Sequence, residues 1–183
     1  MKPMSMQCEI RSRGQQRGAI LIVSLILLLI MTVLALSVSQ TSRMQERMAG
    51  NARDSDLSFQ AAEAGLRDAE AYLWARTSQP IACSTSPCVV YQKDALSAVN
   101  MSVQDNTWWN DNAKEYGVAG TQEVDGVKAD PRVVIEELGF TPFSLTVGRG
   151  VPGGRTFYRN TARGVGGTDA AQTVVETTFT RPY

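Results

Sequence analysis

Cys83 and Cys88 flank Ser84-Thr85-Ser86-Pro87 and are the residues whose types and spacing are best suited to covalent chemistry. In an oxidising compartment the pair can close a small disulfide loop, contributing roughly 2 kcal/mol through loop entropy. A zinc centre would need further ligands, and the chain has no histidine to supply them. The same lack removes the usual general base near neutral pH and any Ser-His-Asp triad. Gly148-Arg149-Gly150-Val151-Pro152-Gly153 has the spacing of a dinucleotide loop, but Pro152, Gly154 and a β-rich segment follow where that site needs a helix, so it reads as a plain loop. Asp105 and Asp111 lack the spacing and terminal Glu of a calcium loop. Trp108-Trp109, inside the polar stretch Asp105–Asn112, reads first as core packing, and otherwise as a loop in which one ring anchors the loop while the other meets a partner. These residues favour a cross-linked interaction protein over an enzyme, with no cofactor and no metal.

The elements that must position them begin with an apolar block. Residues 19–38 read AILIVSLILLLIMTVLALSV, without a charge, Pro or Gly. As a helix this is about 30 Å long, the thickness of a bilayer core. Ser24, Thr32 and Ser37 are its polar interruptions, which a helix satisfies on its own carbonyls. The first 18 residues hold Lys2, Arg11, Arg13 and Arg17 against Glu9, and that leaves 14 basic and 17 acidic side chains in the remaining 165. A basic leader before an apolar span puts the N-terminus in the cytoplasm and the rest across the inner membrane, in the periplasm. The slightly acidic body argues against direct nucleic-acid binding. A secretory signal would be shorter and end in small residues, unlike Ser39-Gln40-Thr41-Ser42-Arg43. A permanent signal anchor stays open as an alternative.

Arg17-Gly18-Ala19 stands at the cytoplasmic edge of that block, and a short basic leader ending in Gly resembles the leader of type IV prepilins and pseudopilins. The resemblance implies cleavage by prepilin peptidase between Gly18 and Ala19 and N-methylation of Ala19. QERMAGNARDSDLSFQAAEAGLRDAE (Gln45–Glu70) is similar to the N-terminal region of PilX-type minor pilins. FYRNTARGVGG (Phe157–Gly167), followed by TVVETTFTR, is similar to their C-terminal end. The first and fifth places after the cut, Phe and Glu in most pilins, hold Ala19 and Val23. In the family that Glu is thought to pair with a neighbour's amino terminus inside the apolar filament core, where a lone carboxylate is costly. Its replacement by Val23 removes both the cost and the pairing. It reads either as a subunit that needs no neighbour ahead of it, at or near the filament tip or in a priming complex, or as drift in a tolerant apolar position.

No Pro occurs from Ala19 to Gln79, and Ser55, Phe59, Ala62, Leu66, Ala69 and Leu73 recur at intervals of four and three. That is an amphipathic stripe, which Met44 and Met48 extend toward the membrane. One helix from about residue 19 to 75 is about 85 Å long, with Gly50-Asn51 its weakest point. Ala61, Ala62, Ala64 and Gly65 would let a sheet approach closely, and Glu63 and Arg67 form an i,i+4 pair. Beyond Arg76, strands are expected at Arg132–Leu138, Phe143–Val147, Thr156–Arg163 and Gln172–Thr180, the last two as an antiparallel hairpin across Gly164–Asp169.

The expected fold is α+β and pilin-like, a long helix packed on a small antiparallel sheet. It divides into a leader (1–18), a membrane or filament-core helix (19–38), its amphipathic continuation (39–76) and a periplasmic head (77–183). The resemblance implies a minor pilin that primes pilus assembly and then joins a filament at the cell surface. Its implied partners are other minor and major pilins, a tip adhesin, the inner-membrane assembly platform and the prepilin peptidase. It leaves motility, adhesion and DNA uptake open as the role of the filament. Two other readings stand beside it: a tip pseudopilin of a type II secretion system, and a permanently anchored periplasmic binding module.

Overall fold

The structure is a computed structural model and describes residues 18–117, 124–143 and 153–183. The leader up to Arg17 lies outside the described residues, as do most of the expected strand Phe143–Val147 and of the loop Gly148–Gly153. Helix α1 runs from Ala19 to Trp74, and the described chain forms two units that meet within it, the second starting at Ala49.

In the first unit every residue from Gly18 to Met48 is exposed. Leucines, isoleucines and valines from Ile20 to Val38 stand about half to two-thirds open, and the helix is long and apolar enough to cross a membrane. Its hydroxyls turn inward to the backbone: Ser24 donates to the Leu21 carbonyl at 2.9 Å, Thr32 to Leu29 at 2.7 Å and Thr41 to Ser37 at 3.0 Å. Met44 and Met48 are exposed.

In the second unit the rest of α1 packs on a five-stranded sheet made of β1 (Val90–Tyr91), β2 (Lys114–Glu115), β3 (Arg132–Pro142), β4 (Gly154–Val165) and β5 (Gln172–Pro182). The order is β1-β3-β4-β5, with β2 also pairing on β3. The α+β expectation holds, and the sheet is mixed: β1 lies parallel to β3, while the other pairs are antiparallel. Two residues are too few to show the alternation that would reveal β1 in a sequence. Strands β3, β4 and β5 all outrun their expected ends. In β3 the extension passes a bulge between Glu137 and Gly139, where Gly139 adopts φ 157°, a conformation a side chain would resist.

Alternation along β3 sorts the core. Val133 and Ile135 join Leu66, Ala69 and Leu73 of α1 with Tyr158 and Ala162 of β4. Val134 turns to the other face and meets Tyr91, Leu96 and Trp109. The sheet is therefore covered by α1 on one side and by the segment after β1 on the other.

The buried stripe of α1 differs from the expected one at its start. Ser58, Ala61, Ala62, Gly65, Leu66, Ala69 and Leu73 are buried, whereas Ser55 is exposed and Phe59 is 45% exposed. The reason is Gly164 of β4, whose backbone comes so close that a Cβ there would lie 2.1 Å from the Ser58 carbonyl oxygen and 2.4 Å from the Ala62 nitrogen. Only small side chains fit on α1 at that approach, so Phe59 faces away. A Cβ on Gly65 would likewise meet Pro131 at 3.2 Å and Ala162 at 3.4 Å. Glu63 and Arg67 pair at 3.4 Å on the exposed face.

Candidate assembly site

Gly18 precedes α1 in a turn, with no atom within 4 Å of where a Cβ would stand. No crowding among the described residues requires a glycine there. Ala19 opens the helix, and Val23, one turn on, is 55% exposed on a surface that it shares with Ile20 and Leu27. No carboxylate occurs in α1 before Glu46. The apolar span is thus uncharged along its whole surface.

At the far end of α1 the chain turns into the loop closed by a disulfide between Cys83 and Cys88, whose Cα atoms are 6.1 Å apart. The loop hands the chain to β1: the Cys83 N–H donates to Val90 at 3.0 Å and the Gln92 N–H to Cys83 at 2.9 Å. Ser86 donates to the Asp111 carbonyl, and Tyr91 donates its hydroxyl proton to the Asn112 carbonyl at 2.7 Å. The disulfide loop is thereby tied to the end of a second helix.

That helix, α2 (Asn106–Asn112), lies where a polar loop was expected. Asp105 caps it, accepting from the Trp108 N–H at 2.9 Å, so this carboxylate serves the helix start. Seven residues are too short for a periodic signal, which is why the stretch reads as loop. The two tryptophans do part company. Trp109 is fully buried, and Trp108 is half-buried with its ring edge-on to Trp109 at 5.3 Å. Arg163 of β4 lies over Trp109 at 5.9 Å and donates to Asn106, and its burial pulls the guanidinium below its ordinary range.

Three polar links of the head escaped sequence reasoning. Glu136 of β3 is buried and accepts from Arg159 of β4, with which it is in register. That carboxylate in turn raises the affinity of Arg159 for its proton. Lys114 of β2 meets Asp68 of α1 at 2.5 Å. Asp54 of α1 accepts from both the N–H (3.2 Å) and the hydroxyl of Thr168. Each joins residues far apart in the sequence; only the strand register, once known, would have matched Glu136 with Arg159. No group of three metal-ligating side chains occurs among the described residues.

The arrangement is one of surfaces: an uncharged apolar helix, a head stapled to its continuation, and a half-open tryptophan beside a cross-linked loop. A family model of the PilX N-terminal region matches residues 17–67, and one of the type IV pilus assembly protein PilX C-terminal region matches residues 75–181. No curated protein matches the chain, and no solved structure does. The two matches cover most of α1 and nearly all of the head, and the chain belongs to the PilX family of type IV pilus assembly proteins.

Proposed function

We propose that this chain is a minor pilin that helps to initiate type IV pilus assembly and sits at or near the filament tip. The observation that carries this reading is Val23, an apolar residue in an acid-free span where most pilins have Glu. A helix with that carboxylate gains from a neighbour's amino terminus and suffers without one. A helix with valine has neither the gain nor the cost, so it tolerates a place with no subunit ahead. Leaving the bilayer exchanges one apolar surrounding for another, because neighbouring helices replace lipid around Ala19–Val38. The step needs no chemistry from the head.

In this reading prepilin peptidase cuts between Gly18 and Ala19, and Ala19 becomes the methylated N-terminus. The N-terminus starts in the cytoplasm, the head in the periplasm. Other minor and major pilins, a tip adhesin and the assembly platform are the partners, and Trp108 is a contact residue. The tip pseudopilin of a secretion system would share Val23, but the PilX C-terminal match over residues 75–181 favours the pilus.

Mass spectrometry of the membrane-extracted chain tests the processing: N-methyl-Ala19 at the mature end supports it, and an intact Met1 or a cut after Val38 rejects it in favour of an anchored module or a signal peptide. Position is tested with Val23→Glu, which should move the subunit into the shaft or lower the number of pili. An unchanged count and an unchanged position would remove the tip reading.

A further inference from the structure

Strand β5 is the last of its sheet, and no strand pairs with its outer side among the described residues. Its ladder with β4 is unbroken for eleven residues, without a bulge. Gly154 and Tyr183 exchange both of their backbone bonds, and the Gly166 N–H donates to Ala171 at 2.8 Å. Such bonded pairs recur at every second residue of an antiparallel ladder. Thr173, Val175, Thr177, Phe179 and Arg181 therefore direct their N–H and C=O groups to β4. Val174, Glu176, Thr178 and Thr180 direct theirs outward. Proteins blunt such an edge with a bulge, a lysine, a proline or a short strand. Here Pro182 comes only at the end, no lysine occurs, and Glu176 is the one charge of outward parity.

Beside this edge, on the face away from α1, lies a groove of about 480 Å³. Val174 and Glu176 line it with Arg159 and Thr161, and Asp94 and Asn100 stand on its other wall. Arg159 is engaged by the buried Glu136. The carboxylates of Asp94 and Glu176 thus leave the groove with surplus negative charge.

We infer that the outer edge of β5 takes an extended polypeptide segment of another protein as an added strand, with a basic side chain of that segment seated against Asp94 and Glu176. Only an extended backbone matches donors and acceptors that repeat about every 7 Å, and alternate side chains of the added strand fall on the groove face. Charge argues against a second copy of this chain pairing through its own β5. Self-pairing of β5 would bring its own even-numbered side chains to the groove, and their only charge is a further Glu176. The inference does not depend on where in the filament the subunit sits.

Amide-resolved hydrogen exchange on the full chain tests it, comparing protein purified in detergent with protein in membranes from cells assembling pili. Amides of Val175, Thr177 and Phe179 should be protected in both. Those of Val174, Glu176, Thr178 and Thr180 should exchange freely in the purified chain and at least tenfold more slowly in the assembling membranes. Thr178→Pro removes one outward N–H and none that β4 uses; it should abolish the second effect while Val175 and Thr177 stay protected. Glu176→Arg should do the same through charge. Even-numbered amides that stay fast in the membranes overturn the inference. So does protection already present in the purified chain, which would mean an internal cover or a second copy. Protection that survives Glu176→Arg overturns the basic partner.

Discussion

Asp54 on α1 holds Thr168, 114 residues later, through both the backbone N–H and the hydroxyl. The turn between β4 and β5 is thereby fixed to the helix at a place where Gly166 leaves no room for a Cβ, Asp54 Oδ1 standing 2.4 Å from where it would be. These bonds from Thr168 lower the affinity of Asp54 for its proton, and its pKa falls below the ordinary 3.8. A carboxylate with a depressed folded pKa contributes its stability above the unfolded value and loses it as the pH falls through the folded one. We expect the protection factor of the Thr168 amide to be level above about pH 4 and to drop in stronger acid. In Asp54→Ala it should be low at every pH.

Gly164→Ala should destabilise the head by about 1–3 kcal/mol, since a Cβ there meets the backbone of α1, which cannot turn aside as a side chain can. Urea denaturation of the detergent-solubilised chain measures this. The equivalent change at Gly50, where nothing lies within 4 Å, should be neutral or slightly stabilising.

The buried Glu136 makes a sharper contrast. Removing one partner of a buried pair strands the other, so Arg159→Leu should cost about 3–5 kcal/mol. Replacing both, as Glu136→Met with Arg159→Leu, should recover most of that loss. A double-mutant cycle by denaturation reads the difference.

How far the sequence revealed this molecule depended on the range of each signal. The apolar span, the end of α1 and the β4–β5 hairpin are local and periodic, and each lies within a few residues of where the residue pattern puts it. The stripe on α1 slipped at Ser55 and Phe59 because the demand there comes from Gly164, more than a hundred residues away. Helix α2 and strand β1 were invisible because seven and two residues hold no period. The pairs Asp54–Thr168 and Lys114–Asp68 depend on tertiary contact, for which a single sequence has no marker.

The two tryptophans should separate structure from contact. Trp109→Ala empties a fully buried site and should cost about 3–5 kcal/mol. Trp108→Ala, at a half-buried position, should cost roughly 1 kcal/mol. If Trp108 is a contact residue, its alanine variant keeps a folded head and still lowers incorporation into pili, counted by immunogold labelling.

Cys88→Ser should lower stability by about 2 kcal/mol, the loop entropy of a short closure. Reduction of the wild-type chain should reproduce the shift, and the variant should no longer respond to reductant.

The links between α1 and β5 also determine how the head bears load. Ser58 meets Thr173 at 2.6 Å, and further along the Arg181 guanidinium donates to the Arg76 carbonyl at 3.0 Å, so helix and strand run side by side in the same direction. A pull along the axis of α1 slides one past the other and stretches these links, together with the Asp54 clasp, at the same moment. Bonds strained in parallel share the force, whereas bonds peeled in series meet it one by one. The links Ser58–Thr173, Arg76–Arg181 and Asp54–Thr168 therefore act as a lap joint, stronger against a pull along the axis of α1 than against a peel across it.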